Sequence, residues 1–215
     1  FNPDMPGGMV QYAQAAAQVN AVHWIGMGSN EEFSAVMATG AKTIRIVKPY
    51  ADEEKIHNML SYAEELGALA VGMDIDHMFD GKGNPDVCLG EQMVVKSSKD
   101  LERYIGMTNL PFVVKGVLSV RDAAKCAEID ANGIVVSHHN GRMNYAMPPL
   151  AVLPEIVKEV GDVMPIFVDC GVCSGMDAYK ALALGATAVS VGTHLIPFIR
   201  QGGAEGVAAR MREMN

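Results

Sequence analysis

The chain has 215 residues, of which 49% are hydrophobic and 20% charged, and its 17 Lys and Arg against 25 Asp and Glu give a net charge of −8. That hydrophobic content excludes a disordered chain, and the length is enough for one large or two small domains with a sizeable core. The acidic balance, without a basic run anywhere, excludes nucleic acid and anionic membranes as expected partners, because both need clustered Lys and Arg, and leaves small molecules.

No apolar stretch approaches the ~20 residues that span a bilayer, and the opening Phe1-Asn-Pro-Asp-Met-Pro lacks the regions of a signal peptide, so a soluble chain is expected. Four cysteines are too few and too uneven for a secreted disulfide scaffold, and fifteen methionines would be an oxidation liability outside the cell. The expected compartment is the reducing cytoplasm.

The helical spacing of Met9–Val19 leads into the first strand candidate, Ala21–Gly26. Ser29 with Glu32 three residues on reads as a capping box for a helix over Glu31–Thr39, followed by a strand at Thr43–Lys48. A helix over Asp52–Leu66 exits through Gly67 into the strand Leu69–Asp76. The segment from His77 to Ser98 is irregular and long enough to be a lid or binding loop. Ser98 and Ser119 are positioned to cap helices at Lys99–Ile105 and Val120–Ile129, which flank the strand Phe112–Val117. Strands at Gly133–Ser137, Ile166–Cys170 and Ala188–Gly192 then alternate with helices at Leu150–Val160, Met176–Leu184 and Ala204–Met214.

Most of these strands are continuous apolar runs, which belong to parallel strands covered on both faces. The exits Leu66-Gly67-Ala-Leu-Ala-Val71 and Leu184-Gly185-Ala-Thr-Ala-Val189 repeat one β/α unit. The dinucleotide fingerprint of a doubly wound sheet is absent, because Gly26-Met-Gly28 has Glu31 where a third glycine should stand. The expected fold is therefore a single (β/α)8 TIM barrel supplying seven strands, shorter than the ~250 residues typical of one. The segment that begins at Phe1 reads as starting after the first strand. Another segment or chain is then expected to fill the gap between the strands at Ala21 and Ala188, since a barrel avoids unpaired edges.

Chemistry in such a fold gathers at the C-terminal strand ends. These carry Lys48, Asp74 with Asp76 and His77, Lys115, His138 with His139 and Arg142, Asp169 with Cys170, and Thr193 with His194. Alternation along a strand lets only one of His138 and His139 face the mouth, and it puts Asp74 and Asp76 on one face, where Lys48 can compensate them. Cys170-Gly-Val-Cys173 reads as a tight strand-to-helix turn, and no metal ligand set is assigned. His23, Trp24 and His57 read as packing or surface residues.

Three motifs stand in order on successive strands: Leu110-Pro-Phe-Val-Val-Lys115-Gly-Val, Gly133-Ile-Val-Val-Ser137-His-His139-Asn-Gly-Arg142, and Ile166-Phe-Val-Asp169-Cys-Gly-Val-Cys173-Ser-Gly175. Through them the chain resembles the FMN-dependent α-hydroxy-acid dehydrogenase and oxidase family, which includes glycolate oxidase and lactate oxidase. The resemblance implies a barrel with FMN at its mouth, His139 as the base, Asp74 supporting it, Arg142 binding a substrate carboxylate and Lys115 beside the flavin pyrimidine. Ser137, Asp169, Gly171, Gly175 and Gly192 join Lys115 as expected cofactor contacts, and Lys48 joins Arg142 as an expected substrate contact.

The departures are specific. The family's Asp-Gly-Gly-x-Arg-x-Gly becomes Asp169-Cys-Gly-Val-Cys173-Ser-Gly175, and its Gly-Arg after the last strand becomes Gly192-Thr193, so both arginines that would hold the FMN phosphate are absent. Backbone amides at Gly171, Gly175 and Gly192 and the helix dipole near Ser174 are left to cradle it. Losing two charge-assisted contacts at ~1.5–3 kcal/mol each would weaken flavin binding by orders of magnitude. The expected function is an FMN-dependent oxidoreductase of a small 2-hydroxy acid, a homo-oligomer with no nucleic-acid or membrane partner. The alternatives are a flavin-free paralogue acting as a binding or assembly subunit and a relative of type 2 isopentenyl-diphosphate isomerase.

Overall fold

The computed structural model describes residues 5–142 and 144–215. Residues 1–4, on which the reading of the opening segment partly rests, lie outside them. In chain order the elements are α1 (Gly8–Gln18), β1 (His23–Ile25), α2 (Asn30–Met37), β2 (Thr43–Val47), α3 (Glu53–Glu65) and β3 (Ala70–Asp74). A small hairpin, β4 (Val87–Cys88) with β5 (Glu91–Gln92), precedes α4 (Ser98–Ile105), β6 (Phe112–Val117), α5 (Val120–Glu128), β7 (Gly133–Val136) and α6 (Pro149–Val160). The chain ends with β8 (Ile166–Val168), α7 (Gly175–Ala183), β9 (Ala188–Val189) and α8 (Ile196–Glu213).

The main sheet runs β1-β2-β3-β6-β7-β8-β9, with every neighbouring pair parallel. Spatial order therefore follows chain order, as in a barrel; a doubly wound sheet would reverse at a switch point. Among the described residues β1 and β9 are each paired on one side only, so the sheet is an open, seven-stranded part of a (β/α)8 barrel. All seven expected strands are present.

Burial on both faces explains the apolar runs. Within β2, Ile44 and Ile46 join Ala70, Val113 and Val135 in an inner cluster with Trp24 and Phe167, whereas Val47 belongs to the larger core beneath the helices. Arg45 faces that helix side too, buried, with Nη1 donating to the Met59 carbonyl at 3.2 Å and its guanidinium 4.4 Å above the Phe33 ring. The helix exits behave as read: Gly67 and Gly185 have φ of 73° and 102°, the left-handed region that glycine enters at no steric cost.

Three details differ from the sequence reading. Ser97 rather than Ser98 caps α4, because Asp100 lies three residues after Ser97: the Ser97 hydroxyl accepts from the Asp100 N–H, and the Asp100 carboxylate accepts from the Ser97 N–H at 2.8 Å. The last helix starts earlier than Ala204 and breaks at Gly203, where φ is 56° and ψ is −145°. The segment after His77 is not structureless, since Leu89 and Gly90, with φ of 51° and 83°, turn the β4–β5 hairpin. That hairpin is tied to the body by the Ala51 N–H donating to the Gln92 carbonyl and the Val94 N–H donating to the Pro49 carbonyl.

His23 on β1 is 5% exposed, and neither ring nitrogen has a hydrogen-bond partner among the described residues. Burial pushes its pKa from 6.5 down to about 4. The unfolded chain therefore binds the proton that the folded chain refuses, and stability falls as pH drops through the window from about 6.5 to about 4. Urea unfolding midpoints measured across that window should decline with acid, and the decline should be shallower in His23→Leu.

Candidate active site

The ends of β2, β3 and β6 place charges side by side because their strand register does. Asp74, the last residue of β3, pairs in register with Lys115 of β6, and Lys48 follows directly on β2. Lys48 Nζ makes a short ion pair with Asp74 Oδ2, both side chains buried. Lys115 Nζ lies 3.3 Å from Asp74 Oδ1, 3.2 Å from Asp169 Oδ2 and 4.0 Å from Asp76 Oδ2, and it donates to the Ser137 hydroxyl at 3.1 Å. Burial alone would lower the Lys115 pKa, but Asp74, Asp169 and Asp76 outweigh it and hold the ammonium above the ordinary lysine value. Burial would likewise raise Asp74, yet Lys48, Lys115 and His139 keep it below the usual carboxylate range.

Strand β7 ends at Val136, so alternation no longer applies at the paired histidines. The chain turns instead through left-handed backbone at His139, Asn140 and Gly141, with φ of 51°, 57° and 81°. The Ser137 hydroxyl pins this turn by accepting the His139 N–H at 3.1 Å, and His138 Nδ1 accepts the Gly141 N–H at 2.9 Å. His138 thereby becomes part of the turn, and His139 faces the cavity.

The carboxylate nearest His139 is Asp76 rather than the expected Asp74. The His139 Nδ1 is 3.1 Å from Asp76 Oδ1 but 3.9 Å from Asp74, whose other oxygen is committed to Lys48. Gly116 makes the closer approach possible. A Cβ there would meet the Asp76 side chain at 2.7 Å, and its φ of 103° disfavours any other residue. In the sequence, Asp74 and Asp76 are equivalent by alternation; in the structure β3 ends at Asp74, and the packing against Gly116 sets Asp76 apart.

Arg142 reaches the loop rather than the cavity: its Nη2 makes a short ion pair with Asp86, and its buried Nε has no hydrogen-bond partner among the described residues. Asp86 also lies 3.0 Å from His77 Nδ1, and the His77 ring stands edge-on to His139 at 4.7 Å. Asp86 was not singled out from the sequence because it lies in a loop with no periodicity. His77, Asp86 and Cys88 have ligand-type atoms within 4.8 Å of one another, as do Asp74, Asp76 and His139, but Arg142 in the first group and Lys48 and Lys115 in the second already neutralise the carboxylates.

A cavity of about 340 Å³ opens at this end of the sheet. Its walls include Lys48, Asp74, Lys115, His139 and Asp169 on one side and Gly171, Cys173, Gly192 and Thr193 on another, with apolar Ile46, Val135, Phe167 and Trp24 between. Trp24, given no role from the sequence, packs edge-on to Phe167 at 5.4 Å and forms part of that apolar wall. Ser137 stands behind Lys115, and Gly175 lies outside the lining: the Met214 carbonyl packs where a Cβ would be, at 2.3 Å. Cys170 lines the cavity as a thiol, its pKa pushed up by burial and by Asp169, which argues against a redox thiolate.

The comparisons with known proteins fit this geometry. A family model for FMN-dependent dehydrogenases matches residues 88–215, more than half of the chain. The chain belongs to that family. The peroxisomal (S)-2-hydroxyacid oxidase GLO3 of Arabidopsis thaliana is 29% identical over 236 residues, covering 94% of this chain and 65% of that protein. An L-lactate oxidase of Roseobacter sp. is 35% identical over 139 residues, covering 64% of this chain and 37% of that protein. A crystal structure of mandelate oxidase superposes with a TM-score of 0.87 at 28% identity, covering 97% of this chain and 67% of that one. A mandelate oxidase variant solved with a monooxide FMN adduct is similar at 30% identity and the same TM-score of 0.87. The chain thus spans 65% of the length of the Arabidopsis relative and 37% of the Roseobacter one.

FMN is the cofactor of this family, and the cavity suits its ring. Lys115, held cationic and lining the cavity, supplies a donor suited to a carbonyl of the flavin pyrimidine edge, while Asp74 is taken up by Lys48 and Lys115. The apolar walls suit the rest of the isoalloxazine.

Removing Lys48 strands Asp74 in a buried site, and breaking such pairs costs ~3–5 kcal/mol. Because Lys115 remains 3.3 Å from Asp74, Lys48→Met should fall at the low end, about 3 kcal/mol by urea unfolding. Lys48→Met with Asp74→Leu should recover most of that loss.

Proposed function

We propose that this chain carries the dehydrogenation centre of an FMN-dependent oxidoreductase acting on the CH–OH group of a small 2-hydroxy acid. The observation that carries the reading is the His139–Asp76 pair at 3.1 Å, set at the mouth of the cavity that Lys115 also lines. Such a reaction needs a base, an electron sink and a grip on the carboxylate. FMN, when bound, accepts the two reducing equivalents.

The side chains do the rest. His139 takes a proton from the substrate, and Asp76, with a fully buried side chain, orients the ring and stabilises its protonated form. Lys115 stays cationic and offers its charge to the pyrimidine end of the cofactor. Lys48 is committed to Asp74, so its part is to hold that carboxylate rather than to receive a substrate anion. Arg142, expected from the sequence to grip the substrate carboxylate, is tied by Asp86 to the loop and does not line the cavity, so that grip requires the Asp86 pair to open. A homo-oligomer in the reducing cytoplasm belongs to the same proposal; for the compartment, four unevenly spaced cysteines are too few for a secreted disulfide scaffold.

The protein reconstituted with excess FMN should show flavin absorbance and reduce it on addition of a 2-hydroxy acid. His139→Ala should lower the rate of flavin reduction by at least ~100-fold with flavin still bound, and Asp76→Asn should lower it in the same direction. Protein that stays colourless with FMN overturns the reading and favours a flavin-free binding subunit.

A further inference from the structure

We propose that Arg210, on the C-terminal helix α8, supplies the positive charge for the cofactor's phosphate that the two loops at that end of the cavity do not themselves carry. The proposal rests on the FMN reading above. In parallel barrels a phosphate group sits where the loops after the last two strands converge, close to helix N-termini. Those loops here run from Gly171 to Ser174, after β8, and from Ser190 to Thr193, after β9; both line the cavity. At Gly171 and Gly192 an added Cβ would meet no atom within 4 Å, so there is open space against backbone at both. Neither loop contains a lysine or arginine.

Arg210 reaches both loops from outside. Its Nη2 donates to the Cys173 carbonyl at 2.9 Å, and its Nε donates to His194 Nε2 at 3.0 Å, directly after Thr193. The guanidinium lies 5.4 Å from the Phe198 ring centre, and the side chain is 22% exposed. Two hydrogen bonds and an aromatic face thus hold the cation at the junction of the two loops, so little side-chain freedom remains to be lost on binding an anion. The third contact, Nη1 to Glu213 at 3.1 Å, is an i,i+3 pair with a carboxylate 65% exposed, and it is readily exchanged for a phosphate. At the opposite end of the cavity the cations Lys48 and Lys115 are matched by Asp74 and Asp169. The packing of the Met214 carbonyl against Gly175 fixes the end of α8 beside the first turn of α7, which is what brings Arg210 within reach.

The test separates the phosphate from the ring by comparing FMN with riboflavin, using fluorescence quenching with the full chain. Arg210→Met should weaken FMN about tenfold or more and leave riboflavin within about twofold, and Arg210→Lys should fall between. Salt should weaken FMN binding to the unaltered protein more than to Arg210→Met. Adding Thr193→Arg to Arg210→Met should restore FMN affinity without changing riboflavin. If Arg210→Met does not fold, as judged by circular dichroism, Arg210→Gln retains a hydrogen-bond donor without the charge and should show the same selective loss. Equal losses for both flavins, or no loss for FMN, overturn the role of Arg210. An unaltered protein that binds neither flavin overturns the cofactor reading and this proposal with it.

Discussion

The Lys115 ammonium, set among Asp74, Asp76 and Asp169, is the interaction on which the site depends. Carboxylates from two other strand ends cannot share so small a volume without a cation, because each would raise the pKa of the others and one would become protonated. Lys115 and Lys48 together keep Asp74 ionised, and Asp74 in turn keeps Lys115 charged in spite of its burial. The strand register that sets Lys115 opposite Asp74 therefore also sets the charge balance of the cavity.

From that centre the order of the site spreads outward through hydrogen bonds rather than apolar contacts. Lys115 fixes Ser137, Ser137 fixes the turn at His139, and the turn presents the imidazole to Asp76. Each step uses a residue at the end of a different strand or in the loop beyond it, which is how a barrel assembles a precise site from short-range features distant in sequence. The left-handed backbone at His139 is held by this network, and such strain persists only where its surroundings determine it.

The segment between β3 and α4 has a different character. It is anchored at its end by Lys96, which pairs with Glu53 while Tyr104 donates to the same carboxylate, and it is tied to the turn after β7 by the Arg142–Asp86 pair. Asp86 thus fixes one edge of the guanidinium expected from the sequence to hold a substrate carboxylate. The position of this loop and the placing of the Arg142 guanidinium are one interaction, so a change at Asp86 alters both.

Much of the architecture was legible in the chain because it rests on local chemistry. Seven apolar runs, eight helical patterns and glycines at Gly67 and Gly185 are short-range signals, and each strand appeared where its run predicted. The strand-end residues His139, Lys115, Asp169, Asp74 and Lys48 were also readable, since strand ends mark the functional face of such a fold, and the structure gathers them around one cavity. What the sequence could not decide were choices between equivalents and contacts between distant segments. Alternation read from the sequence cannot distinguish Asp76 from Asp74; in the structure β3 ends at Asp74, and the close approach over Gly116 sets Asp76 against His139. Nothing local marks Asp86 as the partner of Arg142, 56 residues away, or Trp24 as a wall of the cavity. Arg210 looks like one charge among several on a C-terminal helix, and only the packing of that helix against the start of α7 brings it to the Cys173 and His194 loops.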